Sequence, residues 1–406
     1  MRLLRRRAER LPTEERFLAI SHGYRGLVGR DPSSAELEAF EQHLADDQSV
    51  GDQLLALASS PECLRRAIDG LDAAGSGDED FVARCYETLL RRDADPSGLA
   101  HYVSRLRDGD SRETIAMVLA GSDEHVNHIA AEAYPLPDLI AAFPERYARA
   151  HDASGAETTW CYVADSEAAY DWINAQISLH GYYDRPGIWS FSVNEDKRTM
   201  ARIIASLQPS RVMDLGCANG TIIDCLDDLG VYAEGVDLSA TAMRRASPLA
   251  RTRIHVGDAV EIALPHSCDV LAGLDIFEHV PPSRVGALIR NVASMLEPGG
   301  RVVANIPAFG RDETFGEVFD VYLDEWQTAA AADEPFTHLH VDHAGFPLHG
   351  HLTWATTQWW QSQFEAAGFT RDTTNEQRIQ VEFAQEFTDH PSRRSLYVFT
   401  KVAETS

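Results

Sequence analysis

From Arg211 onward the chain alternates short apolar runs with stretches of helical spacing: RVMDLG, YAEGVDLS, RIHVGDA, CDVLAGLDI and GGRVVANIPA. No other feature narrows the fold as much. Short apolar runs separated by helical segments predict a parallel sheet with crossover helices. Ligands of such sheets bind outside the carboxyl ends of the strands, so the polar residues that close each run are the candidates for chemistry. The first run closes with DLGCANG, where Gly216 and Gly220 flank a tight turn into a helix. Glycine at such a turn lets the backbone come close to a ligand. Asp214 lies two positions before the first glycine. Asp237 ends the second run, where a carboxylate can hold ribose hydroxyls. Asp258 ends the third, placed to meet an adenine amino group. A nicotinamide site has a similar loop, but nothing else in the chain points to hydride chemistry.

Taken together, DLGCANG, GVDLS, GDA, DIFEHV and LEPGG resemble, in order and spacing, the class I S-adenosylmethionine-dependent methyltransferases. The resemblance covers about residues 190–401. It implies an α/β, Rossmann-like fold with a seven-stranded sheet, its last strand antiparallel at SLYVFTKV (Ser395–Val402). By the same resemblance Asp214 meets the methionine amino group of the cofactor. The backbone of Gly216 and Gly220 lines its methionine and ribose, Asp237 holds the ribose, and Asp258 with Ala259 meets the adenine. Cys217, Ala218, Leu238 and Asp275 complete the implied cofactor set, with Ala218 standing where the commonest form has a glycine.

The fourth run ends in DIFEH, and Asp275, Glu278 and His279 follow it directly. Three ionisable groups there can be a helix start, a proton-transfer pair or metal ligands. Downstream, five of the 16 histidines fall between His338 and His351, before a helix-like TTQWWQSQFEAAGF. Neutral imidazole is either a metal ligand or a base of suitable pKa. The D-x-x-E-H pattern with a later histidine is similar to the metal-dependent small-RNA 2′-O-methyltransferases. That resemblance implies Asp275, Glu278, His279 and His351 as ligands of a divalent metal (Mg, Mn, Fe or Zn), Asp275 replacing a Glu. Two carboxylates and two imidazoles suit Mg less than the softer ions. Without a metal, His279, His351 or His343 is the candidate catalytic base.

The first third of the chain carries an internal repeat. Tyr24, Leu27, Arg30, Asp31, Leu37, Phe40, Leu44 and Ser60 recur, at an offset of 62 residues, as Tyr86, Leu89, Arg92, Asp93, Leu99, Tyr102, Leu106 and Ser122. A fixed period marks one supersecondary unit used twice, and the apolar spacing inside each copy is helical. Asp31 and Asp95, each opening an Asp-Pro-Ser string, read as turn and N-cap residues. The region resembles an uncharacterised bacterial family of all-helical repeats that accompanies surface and glycan-related proteins. Its Arg-Asp pairs either fix the turn or form a docking or glycan-contact surface.

The expected domains are a helical repeat domain at 1–130, a linker and cap at 131–195, and the methyltransferase domain at 196–406. Within the last, an inserted lid spans about 306–350. The lid is rich in aromatic residues (Phe309, Phe315, Phe319, Tyr322 and Trp326) and acids, either a carbohydrate cleft or a lid packed on its own rings. The formal net charge of −27 argues against nucleic acid, because no basic patch balances it beyond MRLLRRRAER at the start. No run approaches the ~18 apolar residues of a membrane span, and no secretory h-region follows the basic start. Six scattered cysteines without a CxxC pair fit reduced thiols in cytoplasm. The longer string from GYYDRPGIWS to GFPLHGHLTWA looks like methyltransferases associated with bacterial glycan biosynthesis. The expectation is therefore transfer of a methyl group from S-adenosylmethionine to a hydroxyl of a sugar or glycan intermediate, with or without metal assistance. The alternatives are N- or O-methylation of a small natural product, and a scaffold for glycan machinery with a vestigial cofactor site.

Overall fold

The computed structural model describes residues 13–45, 49–72, 77–152, 154–188, 192–239, 243, 245–264 and 266–402. The basic start of the chain lies outside the described residues. The chain divides into two compact units, residues 1–137 with 175–189 and residues 138–174 with 190–406.

The first unit is helical. Arg30 binds Glu62 through Nε and Nη2 at 2.9 and 3.0 Å and lies over the Tyr24 ring at 5.2 Å. The same set occurs 62 residues later: Arg92 binds Glu124 at 2.8 and 3.2 Å and lies over Tyr86 at 5.1 Å. Ser60 and Ser122 cap the helices Pro61–Ile68 and Asp123–Ala133. Both arginines are thus paired within the unit, with their side chains 40% and 45% exposed. One expectation needs correction. Asp95 caps the helix Pro96–Arg107 by accepting from the Gly98 N–H, but Asp31 pairs with Arg25 instead. The first copy is capped by Ser33, whose hydroxyl accepts from the Glu36 N–H at 3.3 Å while its own N–H donates to the Glu36 carboxylate at 2.7 Å. Ser33 lies 62 residues before Asp95, so the cap follows the repeat offset rather than the Asp-Pro-Ser string.

The expected linker and cap region contains two strands. Strands Tyr147–His151 and Glu157–Val163 pair antiparallel, and His338–His340 from the inserted segment joins as the third strand of that sheet. Tyr147, Ala150, Cys161 and Tyr162 are buried, and Tyr162 stacks on Trp172 at 5.7 Å. This apolar face is what orders the segment.

The main sheet has seven strands: β1 (Val212–Leu215), β2 (Ala233–Asp237), β3 (Ile254–Val256), β4 (Cys268–Leu274), β5 (Leu296–Asn305), β6 (Phe369–Arg371) and β7 (Leu396–Lys401). In space they run β6-β7-β5-β4-β1-β2-β3, with β7 antiparallel to both neighbours and the β5-to-β3 set parallel. β1 is buried at every position, as a central strand covered on both faces must be. Helices α1 (Glu195–Ala205), α2 (Thr221–Asp228), α3 (Pro282–Met295), α4 (Thr357–Ala366) and α5 (Thr373–Glu382) belong to this unit. Trp359, Trp360 and Phe364 of α4 enter the core with α3 and the strands, and the Phe364 ring stacks on Phe399 at 4.0 Å.

Of the aromatic residues named in the insertion, Phe309, Phe315 and Trp326 are buried and Phe319 is half-buried. Trp326 and Phe336 are 1% and 0% exposed and stack on each other at 5.2 Å, and Phe309 stacks on Trp354 at 5.5 Å. Among the rings named above from this segment, Tyr322 is the large exposed one. All six cysteines are free and buried. Among the described residues no helix is long and apolar enough to cross a membrane.

Candidate active site

The turn after β1 is shaped by its backbone. Gly216 has φ +73°, and a Cβ there would meet Ile276 Cγ1 at 2.8 Å, so only glycine fits this close approach. Ala218 also adopts a left-handed conformation, φ +47°, which costs an alanine more than the glycine it replaces. Asp237 holds it there: its Oδ2 accepts from the Ala218 N–H at 2.8 Å, and its Oδ1 accepts from the Ser239 N–H at 2.7 Å. The acid at the end of β2 therefore fixes the β1 turn. Cys217 is buried within the turn, and burial pushes its thiol pKa up, away from reactivity.

Asp214 is 3% exposed and its Oδ2 has no hydrogen-bond partner. Burial, then the neighbouring Asp237, pushes its pKa up to about 8. Lys197 of α1 opposes this weakly; its ammonium donates to the Ser192 carbonyl at 3.0 Å, and burial lowers its pKa. Leu238 is 73% exposed directly after Asp237, an apolar side chain left in water beside a carboxylate. Asp258 is held in place by two donors: its Oδ1 accepts from the Val260 N–H at 2.9 Å and its Oδ2 from Arg284 at 2.9 Å. The Ala259 carbonyl accepts from Asn291 at 2.8 Å.

The end of β4 divides into two groups. Asp275 has φ +55°; its N–H donates to the Asn305 carbonyl at 2.9 Å, and its carboxylate accepts from Asn305 Nδ2 and, at 2.8 Å, from Arg393. Glu278, His279 and His351 form the other group, with one donor atom of each within 4.8 Å of the others. Glu278 is 1% exposed, and neither carboxylate oxygen has a hydrogen-bond partner. His351 Nε2 lies 3.6 Å from Glu278 Oε1, and the His279 and His351 rings meet edge to face at 4.9 Å. His279 Nδ1 contacts the Gly350 carbonyl at 3.3 Å. A carbonyl only accepts, so Nδ1 carries the proton in this contact. Burial lowers the His279 pKa to about 4 and lowers His351 as well, so both rings are neutral at pH 7. Burial, then Asp275, raises the Glu278 pKa.

Three of the four residues expected as metal ligands thus come together, and Asp275 faces a guanidinium instead. His343 is exposed on the Asp342–Gly345 turn, in a groove of about 480 Å³ with Asp138, Arg149 and Trp160, and is not part of the group. Sequence reasoning missed Lys197, Asn305 and Arg393. Asn305 ends β5, so the rule that sites lie at strand ends could have found it. Arg393 has no local signal, 118 residues from its partner.

The donor set fits S-adenosylmethionine on these observations: an unpartnered buried carboxyl at Asp214, a glycine turn at the strand end, and an exposed Leu238 beside a carboxylate. A family model described as methyltransferase domain matches residues 193–374, and one described as a domain of unknown function (DUF4214) matches residues 72–129. The ubiquinone biosynthesis O-methyltransferase of Cupriavidus pinatubonensis is 31% identical over 106 residues, covering 24% of this chain and 42% of that protein. Its counterpart from Albidiferax ferrireducens is 30% identical over 159 residues, covering 35% and 62%. The chain therefore spans about half the length of these relatives. Among solved structures, the amino pentose methyltransferase CalS10 from Micromonospora echinaspora is 18% identical, covering 55% of this chain and 95% of that one, with a TM-score of 0.34. Residues 193–374 thus match a methyltransferase domain, with the β1 turn and Asp237 inside the match, and β7 beyond it completes the mixed seven-stranded sheet.

Proposed function

We propose that the chain transfers a methyl group from S-adenosylmethionine to a hydroxyl of a sugar or glycan intermediate, with a divalent metal held by Glu278, His279 and His351. The observation that carries the reading is the Glu278 carboxylate, buried between two neutral imidazoles with both oxygens unpartnered. A buried carboxylate without partners is costly, and a cation or a substrate proton is what would satisfy it.

S-adenosylmethionine supplies a methyl already activated on a sulfonium, so the protein's share is alignment and a place for the acceptor's proton. A divalent ion would supply Lewis acidity, lowering the pKa of a hydroxyl bound beside it. Glu278 and the two imidazoles are one carboxylate and two nitrogens, a set that favours Mn, Fe or Zn over Mg. The Gly350 carbonyl would hold His279 with its proton on Nδ1, as a backbone carbonyl does for metal-binding histidines. In the absence of metal, His351 with Glu278 at 3.6 Å is the pair able to take the proton. Asp214 would bind the cofactor's amino group, and Asp237 and Leu238 would face its ribose and adenine.

Oxygen rather than nitrogen as acceptor is supported by the names of the curated relatives, both O-methyltransferases. A net charge of −27 disfavours nucleic acid as substrate. The carbohydrate assignment rests on the glycan-associated resemblance, since most aromatic residues of the insertion are used in the core. The test is calorimetric titration of S-adenosylmethionine with metal analysis of the same sample. Micromolar binding with one divalent ion per chain is expected. Glu278→Gln and His351→Ala should each lose the ion while keeping cofactor affinity. Absence of cofactor binding by the parent would overturn the methyltransferase reading. Metal-free protein that binds the cofactor would overturn the metal assignment alone.

A further inference from the structure

β7 is antiparallel, so the residues that precede it arrive at the carboxyl edge of the parallel strands. The Ser395 carbonyl accepts from the Ile306 N–H at 3.0 Å, and Leu396 lies opposite Asn305. Two residues earlier stands Arg393, reaching over the end of β5. Its Nη1 donates to Asp275 Oδ2 at 2.8 Å, and its Nε and Nη2 donate to the two oxygens of Asp196 at 3.0 Å each. Asp196 lies in the first turn of α1, next to Lys197. One guanidinium thus joins the start of α1 to the end of β4, and Asn305 grips the other oxygen of Asp275 from β5.

The exposures separate this from an ordinary surface pair. The Arg393 and Asp196 side chains are 15% and 23% exposed, while the Asp275 side chain is 42% exposed. The clamp is shielded, and the carboxylate it holds faces outward. Bidentate guanidinium–carboxylate geometry fixes orientation as well as distance. Asp275 also keeps a left-handed backbone, φ +55°, which aspartate tolerates better than most non-glycine residues. A carboxylate that is accessible yet held by two donors is preorganised for a cation, and S-adenosylmethionine carries two, an ammonium and a sulfonium.

We propose that Arg393 is a positioning residue for cofactor binding: it holds the Asp275 carboxylate in one orientation at the end of β4 and keeps it apart from the Glu278, His279 and His351 group. The proposal rests on the reading that this site takes S-adenosylmethionine. The experiment is calorimetric titration of S-adenosylmethionine into the full chain and its Arg393→Met, Arg393→Lys, Asp196→Asn, Asp275→Asn and Arg393→Met/Asp275→Asn variants, each with its thermal midpoint. Arg393→Met should weaken binding about tenfold or more, the loss expected when a shielded hydrogen-bonded charge loses its partner. Lysine should restore most of that affinity, and the double variant should bind no worse than Asp275→Asn alone, because Arg393 acts through Asp275. A role in folding only would lower the midpoint and leave the affinity of the folded protein unchanged, which overturns the proposal. Losses that add in the double variant overturn it too. Should Arg393→Met not fold, Arg393→Lys and Asp196→Asn carry the test: each should bind about threefold more weakly, and parental affinity in both sinks the idea. A parent that does not bind the cofactor overturns the site reading and this proposal together, and parental binding with unaffected variants overturns this proposal alone.

Discussion

Asp214 is a carboxyl buried at the end of a central strand, with one oxygen unpartnered and a pKa of about 8. An unfolded aspartate titrates near ~3.9. Between those values the native state holds a proton that the unfolded state has released. The stability this contributes is therefore complete at low pH and lost as pH rises towards about 8. The expected outcome is an unfolding free energy for the ligand-free protein that falls by up to about 1.4 kcal/mol per pH unit across this range from this group. Asp214→Asn should flatten that slope, and denaturant midpoints measured from pH 5 to 8 check it. Cofactor binding should show the opposite trend. If the deprotonated carboxyl receives the amino group, affinity rises with pH until about 8 and binding releases a proton, visible as a buffer-dependent calorimetric enthalpy. Asp237 works through the backbone as well as through the ligand. Asp237→Ala frees the Ala218 and Ser239 N–H groups and should weaken cofactor binding by roughly 1–3 kcal/mol, measured by the same titration.

At the scale of elements, the strand-ending acids were legible because each closes an apolar run whose length and spacing already declare a strand. Asp214, Asp237 and Glu278 needed no partner elsewhere in the chain to be noticed. What was not legible depends on long-range pairing. The strand Glu157–Val163 meets its partner His338–His340 nearly 180 residues away, and neither carries a strong local signal. The aromatic residues of the insertion could not be assigned to core or cleft, since rings at such spacing serve either purpose. Only the small sheet they pack against decides it. The same holds for Arg371 at the end of β6. It pairs with Asp312 at 2.8 Å and Glu376 at 2.9 Å, all three nearly buried, and Glu376 also accepts from the Val398 N–H at 3.0 Å. This cluster ties the insertion and α5 to the last two strands. Arg371→Met strands two buried carboxylates, which should cost about 3–5 kcal/mol, far more than removing a surface pair. Denaturant unfolding of the variant measures it.

For the whole molecule, the residues that match the methyltransferase family model are fewer than the fold requires. A fragment of residues 193–374 omits β7, which lies between β6 and β5, and so leaves β6 without a neighbour and β5 with an open edge. It also omits Tyr147–His151 and Glu157–Val163, which leaves His338–His340 unpaired and uncovers the aromatic cluster beneath it. Arg393 is lost as well. Residues 138–406, by contrast, hold every strand of these two sheets, and of the helical unit only residues 175–189. The two fragments therefore separate what the sheet needs from what the repeats provide. The expected outcome is that 138–406 unfolds in one cooperative thermal transition and binds S-adenosylmethionine with nearly the affinity of the full chain, while 193–374 shows neither behaviour. Cooperative unfolding of 193–374 would mean that β7 and the small sheet are accessories. Loss of cofactor binding in a cooperatively folded 138–406 would mean that residues 1–137 contribute to cofactor binding.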